Sequence, residues 1–414
     1  MAERYDGTVQ NQNEKPQNTD IFAAMSNVNF ENTAVAFQHK NNSQLKRSYW
    51  LFKLIASPAL VKVGGALTNL AVGMGIPIGW AIKKNIFSQF CGGVNISESK
   101  KAAHHLAKSG IGSILDYSVE GKENEKDFDF TAEEIKRTID AAENNNDIPF
   151  SVFKVTGICR FSLLEKVNAK QALSTNEEAE WERAVGRVFS ICEHAHKKNV
   201  SLFIDAEDSW IQDAIDELTE NMMVQFNQKN FIVYNTVQLY RHDRLAYLKA
   251  LHVRMKEKGA KTAVKLVRGA YMEKERKRAA EMGYEDPIQP NKESTDRDFN
   301  LAVDYCLDHI EDIAICCGSH NEESSALLVE KMNARGIASN DKRIYFAQLF
   351  GMSDHISYNL SHAKYNVAKY LPYGPIKEVM PYLLRRAQEN TSVKGQTGRE
   401  LSLIEKEIQR RKKA

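Results

Sequence analysis

The sequence predicts an α/β fold, a TIM-type (β/α)8 barrel preceded by helices. Eight short runs rich in β-branched and aromatic residues alternate with helical patterns, as parallel strand pairing requires. The 414 residues suffice for one barrel of about 250 residues and extra helices. No Gly-x-Gly-x-x-Gly follows any of the runs, which disfavours the alternative, a doubly wound sheet.

The composition argues against several classes of protein. The chain has 56 basic and 54 acidic residues and no dense basic stripe with interleaved aromatic residues, so nucleic acid is not an expected partner. The six cysteines lack C-x-x-C spacing, and no cleavable secretory signal precedes them. We therefore expect reduced, buried cysteines in an intracellular protein.

The N-terminal part raises a membrane question. Residues 1–30 are rich in Asn, Gln, Asp and Glu and are interpreted as a flexible leader, whose acidic residues are atypical of a mitochondrial transit peptide. Val63 to Ile82 contains no charged residue and has the length of a membrane span. Its five glycines and Pro77 make a poor continuous helix, so a buried helical pair, a membrane-surface contact and a span stay open.

The elements follow in order. Leu45 to Phe90 is expected to be helical with interruptions, and another helix is expected near Ser99 to Ser109. The predicted strands are Ile111–Tyr117, Pro149–Val155, Val200–Asp205, Phe231–Asn235, Ala263–Arg268, Asp312–Cys317, Arg343–Ala347 and Tyr365–Tyr370. The predicted helices between them are Asn176–Lys198, Ala206–Asn227, Arg244–Lys258, Met272–Met282, Thr295–His309 and Glu322–Arg335.

Charge-rich segments mark loops and boundaries. Val119–Asp129 and Asn144–Asp147 are interpreted as loops. The resulting organisation is a leader at 1–30, an N-terminal helical region at 31–110, the barrel at 111–395 and a C-terminal helical tail at 396–414.

A helix near the C-terminus carries a candidate binding face. Pro375 follows Tyr373-Gly374 and suits the first position of a helix. On that helix Glu378, Tyr382, Arg385 or Arg386 and Glu389 recur at spacings of three and four, so they share one face. Two adjacent arginines offer forks of donors that match a planar carboxylate. A solvated helix with Arg–Glu pairs is the alternative.

Polar residues also end each predicted strand. They are Asp116 and Glu120, Lys154, Asp205-Ala206-Glu207, Asn235 to Gln238, Lys265 to Tyr271, Ser319-His320-Asn321, Gln348-Leu349 and Tyr370. Barrel enzymes place their chemistry at this end of the strands, so the set predicts a site. No second His or Cys stands at ligand spacing from His320, so no catalytic metal is expected. A Ser hydrolase lacks its Gly-x-Ser-x-Gly elbow, and Gly269 permits close approach of a flat ring or a phosphate.

Five motifs occur in the order found in one enzyme family. They are Lys-Leu-Val-Arg-Gly-Ala-Tyr (265–271), Gly-Tyr-Glu-Asp-Pro-Ile (283–288), Ser-His-Asn (319–321), Gln-Leu-Phe-Gly-Met (348–352) and the C-terminal Tyr-Leu-Pro-Tyr-Gly-Pro…Arg-Arg-Ala…Glu-Asn (370–390). In these motifs the chain resembles the proline dehydrogenases, in particular their monofunctional, FAD-dependent branch. The resemblance covers roughly 111–392. It implies a distorted barrel that holds FAD non-covalently, with the last helix over the barrel mouth.

The resemblance assigns roles by position. It implies catalytic roles for Lys154, Asp205, Arg385 and Arg386, and substrate contacts for Glu120, Tyr271, Leu349, Tyr370 and Tyr382. It implies FAD contacts for Gln238, Lys265, Arg268, Gly269, Ala270, Lys292, Thr295, His320, Asn321, Gln348 and Glu389. Some family members carry Arg then Lys where this chain has Lys265 then Arg268, so which cation lies near flavin N5 stays open.

The implied activity is oxidation of L-proline to 1-pyrroline-5-carboxylate, the first step of proline catabolism. Hydride would pass from proline C5 to FAD N5, and the electrons would pass to a membrane quinone. Tyr370 implies proline as substrate, and the alternatives are trans-4-hydroxyproline oxidation in the same pocket and a barrel that binds without turnover. The expected location is cytoplasmic and peripheral, at the inner face of the membrane.

Overall fold

Eight parallel strands close into a barrel in chain order. The computed structural model describes residues 28–55, 86–118, 123–392 and 396–414. The strands are β1 Ile111–Tyr117, β2 Phe150–Lys154, β3 Ser201–Asp205, β4 Val233–Gln238, β5 Thr262–Val267, β6 Ile313–Gly318, β7 Ile344–Leu349 and β8 Val367–Tyr373. Strand β8 pairs with β1, which closes the barrel and places Ile114 beside Tyr370. The barrel prediction is confirmed, and the doubly wound sheet is excluded.

Alternation along the strands separates the barrel interior from the layer beneath the helices. On β5, Ala263 belongs to the interior cluster, whereas Val264 and Leu266 are buried in the outer core. The interior is filled below the strand ends by aromatic rings, among them Phe150 and Phe203, whose ring centroids lie 4.5 Å apart. The interior is therefore packed, and the polar side chains gather at its C-terminal end.

Helices surround the barrel and extend it at both termini. Those before β1 are Thr33–Ala36, Asn42–Ile55, Ser88–Phe90 and Ile96–Ala107. Those between strands are Glu125–Ala142, Phe161–Asn168, Thr175–Lys198, Ser209–Phe226, Arg244–Glu257, Met272–Met282, Lys292–Asp308, Glu322–Ala334 and Asp354–His362, with a 3-10 turn at Val155–Gly157. Ile376–Ser392 and Gln396–Lys413 follow β8.

One predicted loop is wrong in part. The helix Glu125–Ala142 begins inside the predicted loop Val119–Asp129, so the loop prediction is wrong for residues 125–129. The side chain of Asn124 caps that helix by accepting a hydrogen bond from the Asp127 N–H at 3.0 Å. The prediction missed the helix because its first turns contain many charged residues, although one face, which carries Phe128, is buried.

Strands β4 and β8 each end three residues later than predicted. Residues 236–238 pair with β5, and residues 371–373 pair with β1. The predictions did not include the short helices Phe161–Asn168 and Asp354–His362.

The terminal helices pack on each other and on the barrel mouth. Phe52 of the helix Asn42–Ile55 is buried with Leu403 and Ile404 of the helix Gln396–Lys413. Val379 and Leu383 of the helix Ile376–Ser392 are buried in a separate apolar cluster, which leaves the opposite side of that helix for polar residues.

No helix within the described ranges is long and apolar enough to cross a membrane. The uncharged segment Val63–Ile82 lies outside the described residues, as does Glu120. All six cysteines are free and buried.

Candidate active site

A large cavity opens at the C-terminal ends of the strands, with a volume of about 1580 Å³. Strand ends from all eight strands form much of its wall, and the helix Ile376–Ser392 contributes Tyr382, Arg385 and Arg386. A further part of the wall comes from Val28 to Glu31 and from Arg399. The cavity therefore lies where a barrel of this kind places its chemistry.

The floor of the cavity is organised by Asp205 at the end of β3. Its Oδ2 accepts a hydrogen bond from Lys154 Nζ at 3.1 Å, and its Oδ1 accepts from Lys265 Nζ and, at 2.9 Å, from the Tyr370 hydroxyl. Lys265 Nζ also donates to the Tyr370 hydroxyl oxygen and lies 4.6 Å from the centre of its ring. Four strands thus contribute to one charged cluster at the edge of the apolar interior.

Charge balance determines the ionisation of this cluster. Burial alone would raise the pKa of Asp205, but the ammonium groups of Lys265 and Lys154 outweigh it and lower that pKa to about 2. Burial, and then the Asp205 carboxylate, raise the pKa of Tyr370 well above its ordinary range. Asp205 is consequently a carboxylate and Tyr370 a neutral donor at neutral pH.

The segment after β5 forms an open part of the wall. Gly269 has φ = 134°, and a Cβ at this position would lie 2.3 Å from the ring of Tyr240. Gly269 and Ala270 are exposed to the cavity. Arg268 donates from Nε to Asp296 at 2.7 Å and from its terminal nitrogens to Ser319 and Ser324, each at 2.8 Å.

His320 forms a neutral part of the wall at the end of β6. Its Nδ1 lies 2.8 Å from Ser353 Oγ, and its Nε2 accepts the Leu349 N–H at 3.4 Å. Burial, reinforced by Lys369 and Arg386, lowers the pKa of His320 to about 3. In the described part of the chain, no group of three or more His, Cys, Asp or Glu residues is placed to hold a metal ion.

Two buried glutamines project from the strands. Gln348 donates to the Ser319 carbonyl at 3.1 Å and accepts from Ser357 at 2.8 Å. Gln238 donates to the Glu207 carbonyl at 3.0 Å, but its Oε1 is buried without a hydrogen-bond partner among the described residues. Because Gln238 lines the cavity, that oxygen is suited to a donor on a bound molecule.

The structure brings most of the sequence-predicted residues together. Those that line the cavity are Lys154, Asp205, Gln238, Lys265, Arg268, Gly269, Ala270, Tyr271, Lys292, His320, Asn321, Gln348, Leu349, Tyr370, Tyr382, Arg385 and Arg386. Thr295 does not line it, and its hydroxyl donates to the Asn291 carbonyl at 3.3 Å. Glu120 and the side chain of Glu389 lie outside what the structure describes.

Several cavity residues were not found from the sequence. Thr156 lies two residues beyond Lys154, and its position after a strand end was the available signal. Arg399 pairs with Glu322 at 2.7 Å and reaches the cavity from a helix that the sequence left as a tail. No local pattern indicates such a contact.

Comparison with known proteins identifies the family. The family model for proline dehydrogenase matches residues 99–399, about three quarters of the chain. The chain belongs to the proline dehydrogenase family.

Relatives within and near the family span most of the chain. It is 31% identical over 429 residues to proline dehydrogenase 1, mitochondrial, of Dictyostelium discoideum, covering 92% of this chain and 74% of the relative. It is 30% identical to the hydroxyproline dehydrogenase of Xenopus laevis, and the match covers 91% of this chain and 88% of the relative. It is also 35% identical over 324 residues to the carbapenem antibiotics biosynthesis protein CarD of Pectobacterium carotovorum subsp. carotovorum. That match covers 78% of this chain and 84% of the relative.

Solved structures support the fold of this proline dehydrogenase family member. Proline utilization A from Bdellovibrio bacteriovorus, inactivated by N-propargylglycine, matches with a TM-score of 0.68 and 21% sequence identity. The match covers 87% of this chain and 38% of that longer chain. At this identity the likeness concerns the fold alone.

Proposed function

We propose that this protein oxidises L-proline to 1-pyrroline-5-carboxylate with FAD as hydride acceptor, the first step of proline catabolism. The observation that carries the proposal is one cavity that combines the Arg385–Arg386 pair with the Lys154–Asp205–Lys265–Tyr370 cluster. Membership in the proline dehydrogenase family supports the same substrate.

The residues of the cavity fit FAD. A volume of about 1580 Å³ exceeds that of ordinary small-ligand sites, as a dinucleotide requires. The exposed backbone at Gly269 and Ala270 leaves room beside β5, and the unpartnered Oε1 of Gln238 offers an acceptor. Lys265, Arg268 and Lys292 supply positive charge to phosphates and to the reduced cofactor. When bound, FAD would supply the two-electron chemistry.

The chain's own residues bind and orient the substrate. Arg385 and Arg386 line the cavity, and their guanidinium groups would hold a carboxylate through forked hydrogen bonds. Leu349, Tyr271 and Tyr382 offer apolar surface to a five-membered ring. Because orientation of the reacting carbon contributes much of the rate in such reactions, this fixed geometry is the main catalytic contribution of the protein.

Oxidation of trans-4-hydroxyproline is the second candidate, and the Xenopus relative favours it. Tyr370 argues for proline, because its hydroxyl is hydrogen-bonded to Asp205 and Lys265 and the residue is only 8% exposed. An additional ring hydroxyl would have to displace this tyrosine or remain unpaired.

We also propose that the electrons pass to a membrane quinone and that the protein contacts the membrane surface. The helix Asn42–Ile55 contains no acidic residue and exposes Trp50 (59%) and Leu54 (54%) beside Lys46 and Lys53. Aromatic, aliphatic and basic residues on one exposed face are typical of interfacial helices. Replacing Trp50 and Leu54 by Ser should reduce sedimentation with anionic liposomes containing quinone, whereas Val253→Ser, on a different exposed surface, should not.

The activity is tested with the purified protein. It should carry the visible absorbance of bound flavin, and L-proline should bleach that absorbance without oxygen and yield 1-pyrroline-5-carboxylate. Flavin that is bleached faster by trans-4-hydroxyproline would favour the second candidate. Flavin that neither substrate bleaches would favour a binding protein without turnover.

A further inference from the structure

A buried carboxyl group lies directly behind the cavity wall. Glu207 is 5% exposed, and its carboxylate accepts the Thr156 backbone N–H at 3.1 Å and pairs with the Thr156 hydroxyl at 2.5 Å. Thr156 itself lines the cavity. Thr156 therefore lies between the Glu207 carboxylate and the space for a ligand.

The backbone around Glu207 is fixed from two sides. Its N–H donates to Gln212 at 2.7 Å, and its carbonyl accepts from Gln238 at 3.0 Å. A carboxyl held in this way has little freedom to leave Thr156.

The direction of the hydrogen bond between Thr156 and Glu207 depends on the proton of Glu207. When Glu207 is ionised, the Thr156 hydroxyl must donate to it, and the lone pairs of Thr156 Oγ are left for a donor in the cavity. When Glu207 is protonated, it can donate to Thr156 Oγ instead, and the threonine hydrogen is then available to the cavity. A proton can thus cross the wall without movement of the backbone.

Glu207 is also able to change its charge near neutral pH. Burial raises the pKa of Glu207 to about 7, against the lowering effects of Lys154 and of the hydrogen bonds from Thr156, and Asp208 adds to the increase. Asp208 itself pairs with Lys274 at 2.7 Å.

The proposed function creates a need for such a group, and the role inferred for Glu207 rests on that function. The ring nitrogen of proline carries two hydrogens and a positive charge in neutral solution. A hydride can leave C5 readily only when the nitrogen has a lone pair to form the C=N bond. A base must therefore take one proton from the nitrogen.

Three other titratable groups of the described wall, Asp205, His320 and Glu322, are already engaged by several partners. Asp205 is engaged by Lys154, Lys265 and Tyr370, and His320 is engaged on both ring nitrogens. Glu322 is paired with His355 at 3.0 Å and with Arg399 at 2.7 Å. Asp116 accepts the Ser118 hydroxyl at 2.5 Å and is the competing candidate.

We propose that Glu207 is the proton acceptor of the reaction and acts through the Thr156 hydroxyl. The ring nitrogen gives a proton to Thr156 Oγ while Thr156 gives its own hydroxyl proton to the Glu207 carboxylate. The nitrogen lone pair then forms the C5=N bond as the C5–H electron pair leaves to the flavin as hydride. One proton on Glu207 and one hydride on the cofactor account for the two hydrogens lost by the substrate, and the product leaves as its protonated imine.

The test compares two substrates that differ in the acidity of the ring ammonium. L-Thiazolidine-4-carboxylate has a more acidic ammonium than proline and needs less help from a base. Glu207→Gln and Thr156→Val should each lower kcat/KM for proline by about ten- to a hundredfold at pH 7, which is within or below the usual range for loss of a general base. Each change should lower kcat/KM for the thiazolidine far less. Thr156→Ser keeps the hydroxyl and should restore most of the proline activity.

Controls separate this role from a structural one. Asp298→Asn changes another buried carboxyl, which does not line the cavity, and should keep the wild-type ratio of the two substrates. Infrared spectroscopy of the resting enzyme should detect a carboxylic acid band that titrates near pH 7 and is missing in Glu207→Gln.

Equal losses for both substrates in Glu207→Gln, or a substrate-dependent loss in Asp116→Asn instead, would overturn the proposal. A wild-type protein that does not oxidise proline would contradict the proposed function itself, whereas the infrared band is measured without turnover.

Discussion

At the scale of single residues, Asp205 determines the electrostatics of the cavity floor. It is one carboxylate shared by Lys154 and Lys265, so the floor keeps an excess of positive charge even when all three are ionised. Arg385 and Arg386 add positive charge elsewhere on the wall. Such a field attracts a carboxylate substrate and a phosphate-bearing cofactor into the same space.

The arginine pair provides the first prediction. Arg385→Met and Arg386→Met each keep an apolar stem and remove a fork of donors. If a charge-assisted contact contributes about 1.5–3 kcal/mol, kcat/KM for proline should fall by roughly ten- to a hundredfold or more, with FAD retained better in the Arg385 variant. Lys377→Met, an exposed change on the same helix, is the matched control. Unchanged steady-state kinetics in both arginine variants would contradict the carboxylate assignment.

Tyr370 provides the second prediction, on substrate choice. Its hydroxyl donates to Asp205 at 2.9 Å, so a 4-hydroxyl group on the substrate would meet a tyrosine that cannot easily move. We expect kcat/KM for proline to exceed that for trans-4-hydroxyproline by at least about tenfold, as a mismatch of about 1–3 kcal/mol gives.

The substitution Tyr370→Ser sharpens this test. It should narrow the gap between the two substrates, chiefly by lowering proline activity. Tyr370→Phe is the control, because it keeps the ring and removes the hydroxyl. A wild-type preference for hydroxyproline would reverse the substrate assignment and leave the fold untouched.

At the scale of elements, the C-terminal helix Gln396–Lys413 supports the cavity through one backbone position. Ser353 adopts φ = 49°, a left-handed conformation that is unusual outside glycine, and its N–H donates to Glu400 of that helix. The Ser353 hydroxyl in turn meets His320 at the wall. Glu400 is 3% exposed, and burial raises its pKa.

The third prediction follows from this support. Glu400→Leu removes the acceptor and leaves the Ser353 N–H buried, at a cost of about 1–3 kcal/mol. The melting temperature should fall, and the Kd for FAD should rise because His320 loses its fixed neighbour. Glu400→Gln keeps an acceptor and should be milder, and Glu405→Leu, at an exposed position of the same helix, should change neither quantity. Equal effects of Glu400→Leu and Glu405→Leu would contradict the inference that Glu400 supports the cavity wall through Ser353.

At the scale of the whole molecule, the sequence predicted what has a local cause. Eight strands were visible because strands buried on both faces form short runs rich in β-branched and aromatic residues, and the polar floor followed because residues such as Lys154 and Tyr370 stand at the ends of the predicted strands. Contacts between distant segments were not predictable. Arg399 and Val28 to Glu31 reach one cavity from opposite ends of the chain.

Buried charge was the other limit on prediction. Lys369 is fully buried on β8, where the Asp354 carboxylate at 2.9 Å and the Met352 carbonyl at 2.7 Å hold it. The residues next to Lys369 in the sequence do not indicate these partners, because only the folded chain brings them beside its ammonium group.

The fourth prediction concerns the dependence of stability on pH, in which His320 and Glu207 act in opposite directions. The pKa of His320 falls from 6.5 to about 3 on folding, so the unfolded state binds more protons between these values and stability decreases as the pH falls. The pKa of Glu207 rises from 4.5 to about 7, so the folded state binds more protons in that window and stability increases as the pH falls. Between pH 6.5 and 4.5 the two contributions nearly cancel.

Single substitutions should expose each contribution. In Glu207→Gln the stabilising proton is lost, so the free energy of unfolding should fall with acid more steeply than in the wild type, by up to about 1.4 kcal/mol per pH unit for one proton. In His320→Asn it should fall less steeply by a similar amount. Urea titrations of both variants and the wild type between pH 7 and 4.5 measure these slopes, and groups shared by all three proteins cancel in the differences. If Glu207→Gln has the wild-type slope, Glu207 does not titrate near neutral pH in the folded protein, and its role as proton acceptor loses its physical basis.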